Sequence, residues 1–425
     1  MDRLQGLLGI ALILGLALLF SNNRRRINLR LVLTGIAMQV VIALLIFKVG
    51  PVARFFQVVG QGIGKLEQFA HAGASFVYGG IAVDRGTDSL GHMIPGNYLN
   101  GGFVFAFNVT ATIILVCALV AVLYHFGLMQ RVVAVVAKAM NFIMRVSGAE
   151  ALSNVASALV GQVEAQVMIR PYLAGMTRSE LLASMSGSLA CIAGGILVVY
   201  VNMGLQAGLD LAPKLITASL MAAPGALVIA KIVFPETEES QTMGVVKLEV
   251  KSDYSNVIDA ISHGAGDGFK IAMNVIAMLI GFIAVIACID WIMVSIGHIF
   301  NPDFDLTLNW IFGKLFYPMA WAMGVPGADI NNVATLLGQK LTINEFVAFK
   351  SLTDKAVPII TEKGLLIVSI AICGFANFSS VGMQIGGIGA LVPERRADLA
   401  KLGLKALLCG TLASYLSATI AGIVV

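Results

Sequence analysis

A chain of 425 residues that is 58% hydrophobic and only 12% charged, with a mean hydropathy of +0.88, is excluded from the soluble class, where about a quarter of residues are charged. A net charge of +4 with no basic stripe interleaved with aromatics excludes a nucleic-acid binder and is better placed in cytoplasmic loops. The five cysteines (Cys117, Cys191, Cys288, Cys373, Cys409) all lie inside apolar runs, giving neither a disulfide framework nor a CxxC metal site, and the five histidines lack ligand spacing.

Helical spans need about 20 apolar residues, and the alternation of a barrel is absent, so the chain reads as an all-α polytopic membrane protein. Residues 5–21 are apolar and precede Arg24, Arg25, Arg26 and Arg30. A signal peptide carries its charge before the apolar run, so this is a retained span with its arginines in the cytoplasm and the N-terminus outside, periplasmic in a bacterium. Residues 31–48 return. The mixed stretch 51–100 has a helical part, 54–70, that reads equally as an interfacial helix or a polar external loop. Residues 102–126 are the third span, and 129–146, with Arg131, Lys138 and Arg145, an amphipathic cytoplasmic helix.

Residues 150–172 form two halves, each too short to cross, around Gly161-Gln162; this predicts a re-entrant hairpin with its tip at Gly161-Gln-Val-Glu164. Thr177-Arg-Ser-Glu180 is a capping box opening a helix over 178–203. That helix is expected to break near 192–195, because glycines in a helix interior cost about 1 kcal/mol each. Residues 213–233 cross back to Pro235-Glu-Thr-Glu-Glu239, and a hydrophilic linker runs to Lys270. Residues 274–298 are a span with Asp290 as an interfacial cap, and 307–324, with Trp310, Tyr317 and Trp321, are interfacial. A second hairpin is expected at 327–352 with Gly338-Gln339 at its tip, a second broken helix at 363–382, and a last span at 396–424, its cytoplasmic start marked by Arg395, Arg396, Lys401 and Lys405.

The two hairpins are similar in sequence. Asn154-Val-Ala-Ser-Ala-Leu-Val-Gly-Gln-Val-Glu164 is matched by Asn332-Val-Ala-Thr-Leu-Leu-Gly-Gln339 with Glu345 behind it, and each is followed by an interrupted apolar segment: Cys191-Ile-Ala-Gly-Gly195, then Cys373-Gly-Phe-Ala-Asn377 with Ser379-Ser380. Paired interrupted segments at corresponding places in two halves point to a transporter's midplane site. Counting crossings makes the repeats inverted, although Lys340 and Lys350 weaken the lysine and arginine tally. An acid at membrane depth costs roughly 2.5 to 3.5 kcal/mol on insertion scales, so Glu164 and Glu345 need a reason to be there. With Gln162, Asn377 and Ser380 they suit a neutral solute rich in hydroxyl and N–H groups, Phe375 lying nearby, and disfavour an anion. Gln162 and Asn377 as backbone partners, Ser380 as a helix back-bonder and Phe375 as core remain open. Glu164 and Glu345 as an acid–base pair would make an intramembrane enzyme, but no nucleophile, metal cluster or phosphate loop accompanies them; an uncoupled channel lacks the logic of an inverted repeat.

At these residues the sequence resembles the concentrative nucleoside transporter family over nearly its whole length. The matching pieces are Gly161 to Glu164, Ile169-Arg-Pro171, Ile192-Ala-Gly, Met221-Ala-Ala-Pro-Gly with Pro235-Glu-Thr-Glu, Asn344-Glu-Phe-Val-Ala348, and Cys373 to Asn377 with Ser379-Ser380. The resemblance implies a secondary active transporter importing nucleosides such as uridine by cation symport across a bacterial inner membrane, with no enzymatic activity and no cofactor beyond a coupling ion; the lack of a targeting tail agrees with a bacterial origin. It implies a homotrimer of eight transmembrane helices plus two opposed hairpins, working as an elevator. Scaffold helices would occupy 1–128, the two halves of the transport domain 129–235 and 326–425, and a linker with a scaffold span 236–325. Gln162, Val163 and Glu164 would meet the nucleobase with Ile196 close by; Glu345, Asn377 and Ser380 would hold the ribose; Phe375 and Ile271 would supply apolar walls. Sodium would sit at Ser157, Val160, Cys191 and Ile192. The family usually has asparagine at the Ser157 position, serine or threonine at Cys191 and threonine at Val163. Sodium prefers hard oxygen ligands, so proton coupling, with Glu164 as carrier, is the alternative.

Overall fold

A computed structural model describes residues 2–79, 105–159, 161–243, 254–301 and 305–425. The expectations for 80–100, for Val160 and for the middle of the linker lie outside them. Among the described residues there is no strand. The chain opens with α1 (Asp2–Leu19), α2 (Leu29–Lys48), α3 (Gly50–Tyr78) and α4 (Phe105–His125). α3 is a continuous helix well beyond the expected 54–70. α4 turns by 76° into α5 (Leu128–Met144). On α5, Gln130, Val133, Ala137, Met140 and Met144 are buried while Arg131 and Lys138 are exposed, the one-sided pattern of an amphipathic helix.

Next comes the first helix–turn–helix, α6 (Gly148–Ser157) and α7 (Glu164–Met168), followed by the short α8 (Arg170–Leu173). Then α9 (Arg178–Ala190) and α10 (Gly194–Gln206) form the first broken helix, and α11 (Ala212–Val233) closes the half. Thr177 and Glu180 make the reciprocal capping box on α9. The break falls at Cys191–Ala193, slightly earlier than expected, and both glycines open α10.

The hydrophilic linker is shorter than its composition suggests. α12 (Val257–Phe300) starts at an Asn256 cap whose side chain accepts from Asp259 N–H at 2.9 Å, so 257–270 is helical rather than connecting chain. α13 (Leu308–Leu315) and α14 (Tyr317–Ala322) follow. Asp290 accepts from the Leu308 N–H at 2.7 Å, satisfying one of the free donors at the start of α13.

The second half repeats the order: α15 (Ile330–Thr342) and α16 (Glu345–Thr353), the broken pair α17 (Glu362–Ile372) and α18 (Phe378–Leu391), and α19 (Arg396–Val424). One expectation fails here. Gly338 and Gln339 lie inside α15, and the turn is at Ile343 and Asn344. Among the described residues four spans are long and apolar enough to cross a membrane: Leu29–Lys48, Arg178–Gln206 across its break, Ala212–Val233 and Pro393–Val424. Shorter apolar helices cover Leu4–Leu19, Ile283–Ile299 and Phe378–Leu391. The core lies where α9, α11, α17 and α19 meet.

A buried ion cluster closes one end of the first half. Lys231 Nζ donates to Glu150 Oε1 (2.5 Å), Ser179 Oγ (2.9 Å) and Glu236 Oε2 (3.1 Å), which ties α11 to the starts of α6 and α9. Side chains of Lys231 and Glu150 are only 7% and 2% exposed. Removing one member strands the others, at a cost of about 3–5 kcal/mol. Lys231→Met is therefore expected to lower the melting temperature of the detergent-solubilised protein strongly; unchanged melting would show the cluster to be energetically idle.

Candidate functional site

Each half presents its functional side chains at two irregularities, a hairpin turn and a helix break. At the first turn Gly161 adopts φ +145°, a conformation that favours glycine, and a Cβ there would lie 2.4 Å from Glu164 Oε2. The Glu164 carboxylate thus folds back over the turn, towards the backbone of Gly161. It remains exposed. At the second turn Asn344 caps α16, accepting from Val347 N–H at 2.8 Å, and Glu345 is the first residue of that helix. Unlike Glu164, Glu345 is 7% exposed.

The two breaks cross and bond to each other. Phe375 N–H donates to the Cys191 carbonyl at 3.2 Å, and Gly374, at φ +147°, passes so close that a Cβ would stand 2.4 Å from the Ala190 oxygen. Gln384 Nε2 of α18 reaches the Met185 carbonyl of α9 at 3.2 Å. Broken helices leave free donors and acceptors, and here the backbone of one break satisfies part of the other.

Most of the predicted solute groups gather at the start of α18. Asn377 does two jobs: its oxygen caps α18 by accepting from Ser380 N–H (2.8 Å), and its amide donates to Glu345 Oε2 (2.9 Å). Tyr200 of α10, absent from the sequence-derived set, donates to Glu345 Oε1 at 3.4 Å and stacks on Phe349 at 4.3 Å between ring centroids. Ser380, Met383 and Gly387 share one face of α18 by helical spacing. Gln162 Nε2 contacts Met383 Sδ at 3.9 Å, and a Cβ on Gly387 would meet Val163 at 2.8 Å, so the first tip lies along the helix whose N-cap holds Glu345. Ser380 Oγ and Gln162 Oε1 are buried without a hydrogen-bond partner. Neither Ser380 back-bonding nor Gln162 serving as a full backbone partner describes them. Phe375 is half-buried within the break, and Ile196 half-buried in the first turn of α10. Ile271, on α12 one turn past Asp267, is also half-buried; the charge of Asp267 acts on Glu164.

The ion set is less well furnished with side-chain oxygen. Ser157 Oγ donates to the Ser153 carbonyl (2.7 Å) and pairs with Ser188 Oγ (2.8 Å), which in turn accepts from Gln166 Nε2 (2.8 Å). Cys191 Sγ is 3.9 Å from the Asn154 carbonyl, and Cys191 and Ile192 are fully buried. Val160 is not among the described residues. A hard cation would find one lone pair of the Ser157 oxygen and a soft thiol at Cys191, so its ligands here would be mainly backbone carbonyls. Among the described residues no group of three or more His, Cys, Asp or Glu side chains is placed to hold a metal ion.

Two crossed broken helices, each preceded by a hairpin whose second helix begins with a glutamate, define a secondary transporter of the broken-helix class. Family comparisons agree with that class. Residues 8–81 and 214–422 match the N- and C-terminal models of the Na+ dependent nucleoside transporters, and 106–206 match the nucleoside recognition Gate model. A nucleoside permease NupC of Helicobacter pylori is 35% identical, covering 99% of this chain and 98% of its own length. The sodium/nucleoside cotransporter 1 of Rattus norvegicus is 36% identical over 99% of this chain and 64% of its own. Among solved structures, CNTnw in an inward-facing substrate-bound state superposes with a TM-score of 0.89 at 37% identity, covering 100% and 99% of the two chains; an outward-facing CNTnw variant gives 0.90 at 38%. This chain belongs to the concentrative nucleoside transporter family. It is a transporter and not an enzyme, and the acid–base reading of Glu164 and Glu345 falls with that.

Proposed function

We propose that the protein imports nucleosides, uridine among them, across a bacterial inner membrane by cation symport. The reading rests most directly on Glu345, held by Asn377 and Tyr200 beside the unpartnered Ser380 hydroxyl. An ionised carboxylate accepts sugar hydroxyls, and a free serine hydroxyl donates or accepts. Gln162, Val163 and Glu164 take the base, with Ile196, Phe375 and Ile271 as its apolar surroundings. Eight spans and two opposed hairpins, with the N-terminus outside, form a homotrimer in which the transport domain moves as an elevator against the scaffold.

Sodium, held near Ser157, Val160, Cys191 and Ile192, is the coupling ion the family favours. The soft thiol at Cys191 favours a second reading, proton coupling. Whichever ion couples must raise solute affinity, since linkage makes each ligand raise the other's by the same factor. Uridine accumulation in proteoliposomes under separately imposed sodium and proton gradients is expected to respond to one and not the other. Counterflow exchange of labelled uridine without chemical change is expected as well; no accumulation of any nucleoside under either gradient would overturn the assignment.

A further inference from the structure

Lys340 lies in the last turn of α15, three residues before the turn that presents Glu345. It is fully buried, and Nζ has no hydrogen-bond partner. A lysine in a lipid-facing position snorkels to the interface; a side chain with no exposure does not. Burying an ammonium without a compensating partner is costly, so its retention needs a reason. Two features of the hairpin supply one. Lys340 and Glu345, both buried, flank the same two-residue turn, outside direct ion-pair distance but with no other charged side chain of the hairpin between them. The Lys340 Nζ is also a buried polar atom left open, in the hairpin that carries Glu345.

The groups facing Glu345 are Asn377 from the N-cap of α18, Tyr200 from α10 and Lys340 from its own hairpin. Two of these are neutral donors. Only Lys340 brings a positive charge, and without it a carboxylate at this depth would stand uncompensated. We propose that Lys340 is the counter-cation of Glu345, a positioning residue that keeps the second tip electroneutral and its carboxylate free to accept the sugar hydroxyls of the solute. The proposal rests on the nucleoside reading above and deepens it: recognition of the sugar would depend on the Lys340–Glu345 pair, not on Glu345 alone. A neutral pair also adds no net charge to be carried through the membrane field when the domain moves.

The test is equilibrium binding of uridine and 3′-deoxyuridine to purified wild-type protein, Lys340→Met, Glu345→Gln and the double variant. Wild type is expected to prefer uridine at least tenfold. Lys340→Met is expected to bring that preference below threefold while binding 3′-deoxyuridine within threefold of wild type, and the double variant to match Glu345→Gln in preference. A Lys340→Met protein that keeps the wild-type preference, or loses affinity for both solutes equally, overturns the proposal; a lysine that merely packs would give one of these. If Lys340→Met does not fold, the pairing still predicts that the double variant melts above Glu345→Gln, because the lone ammonium has gone with its partner. A lower melting temperature overturns it. Failure of wild type to bind either solute would instead sink the nucleoside reading.

Discussion

Glu345→Ala is expected to abolish uridine uptake while leaving the protein in the membrane. A carboxylate that accepts two sugar hydroxyls contributes two charge-assisted hydrogen bonds of about 1.5–3 kcal/mol each, so uptake should fall by roughly 100-fold or more. The structural penalty is comparable, since the buried Lys340 ammonium loses its counter-charge as well, so uptake must be compared on folded protein. Truncation leaves the Asn377 amide and the Tyr200 hydroxyl without their acceptor, at about 1–3 kcal/mol apiece when buried, but Asn377 still caps α18 through its oxygen and Tyr200 still stacks on Phe349. The checks are uptake into proteoliposomes at matched protein density and size-exclusion elution of the solubilised variant. Undiminished uptake by a normally eluting protein would refute the sugar assignment.

The repeat was legible in the sequence because it is written in local signals: matching Asn-Val-Ala strings at Asn154 and Asn332, interrupted apolar runs, and acids behind each glycine-glutamine pair. The misplaced second tip shows where such reading stops. Gly161 and Gly338 occupy matching strings, but Gly161 supplies a positive φ at a turn, whereas Gly338 sits in a helix where a Cβ would come within 2.4 Å of the Phe312 side chain. The same residue meets a conformational demand in one half and a packing demand in the other, and only tertiary structure separates them. Gln339 likewise serves a neighbouring element, donating to Asn309 at 2.9 Å, and not a solute site.

The start of α12 was hidden for a different reason. His263, Asp267 and Lys270 make 257–270 look like hydrophilic linker, yet their side chains lie on the outside of a helix already begun at Asn256. Composition reports exposure, not backbone conformation. The partners of Glu345 were out of reach as well. Tyr200 lies 145 residues away in sequence and Asn377 lies 32; Lys340, which sequence reading weighed only as loop charge, is fully buried. Local periodicity places such residues on helices but does not say which helices meet.

The crossing of the two breaks is the contact on which the site's geometry most depends, and Gly374→Ala tests it. The added methyl would stand 2.4 Å from the Ala190 oxygen and 3.2 Å from the Leu189 oxygen, both backbone atoms that no rotamer change moves aside. The residue would also have to hold φ +147°. Strain of this kind costs about 1–3 kcal/mol, and overpacking a fitted contact adds about 1–3 more. Relief requires separating the breaks, which would lengthen the Phe375 to Cys191 hydrogen bond and carry Asn377 away from Glu345. The expected result is a large fall in melting temperature together with loss of uridine binding in whatever protein remains folded. Gly382→Ala is the control: it lies on α18 with open space around its α-carbon, so alanine should be tolerated and even improve helix propensity by up to about 1 kcal/mol. If Gly374→Ala melts and binds like Gly382→Ala, the breaks do not need their close approach, and the positioning of Asn377 and Glu345 must come from the hairpin alone.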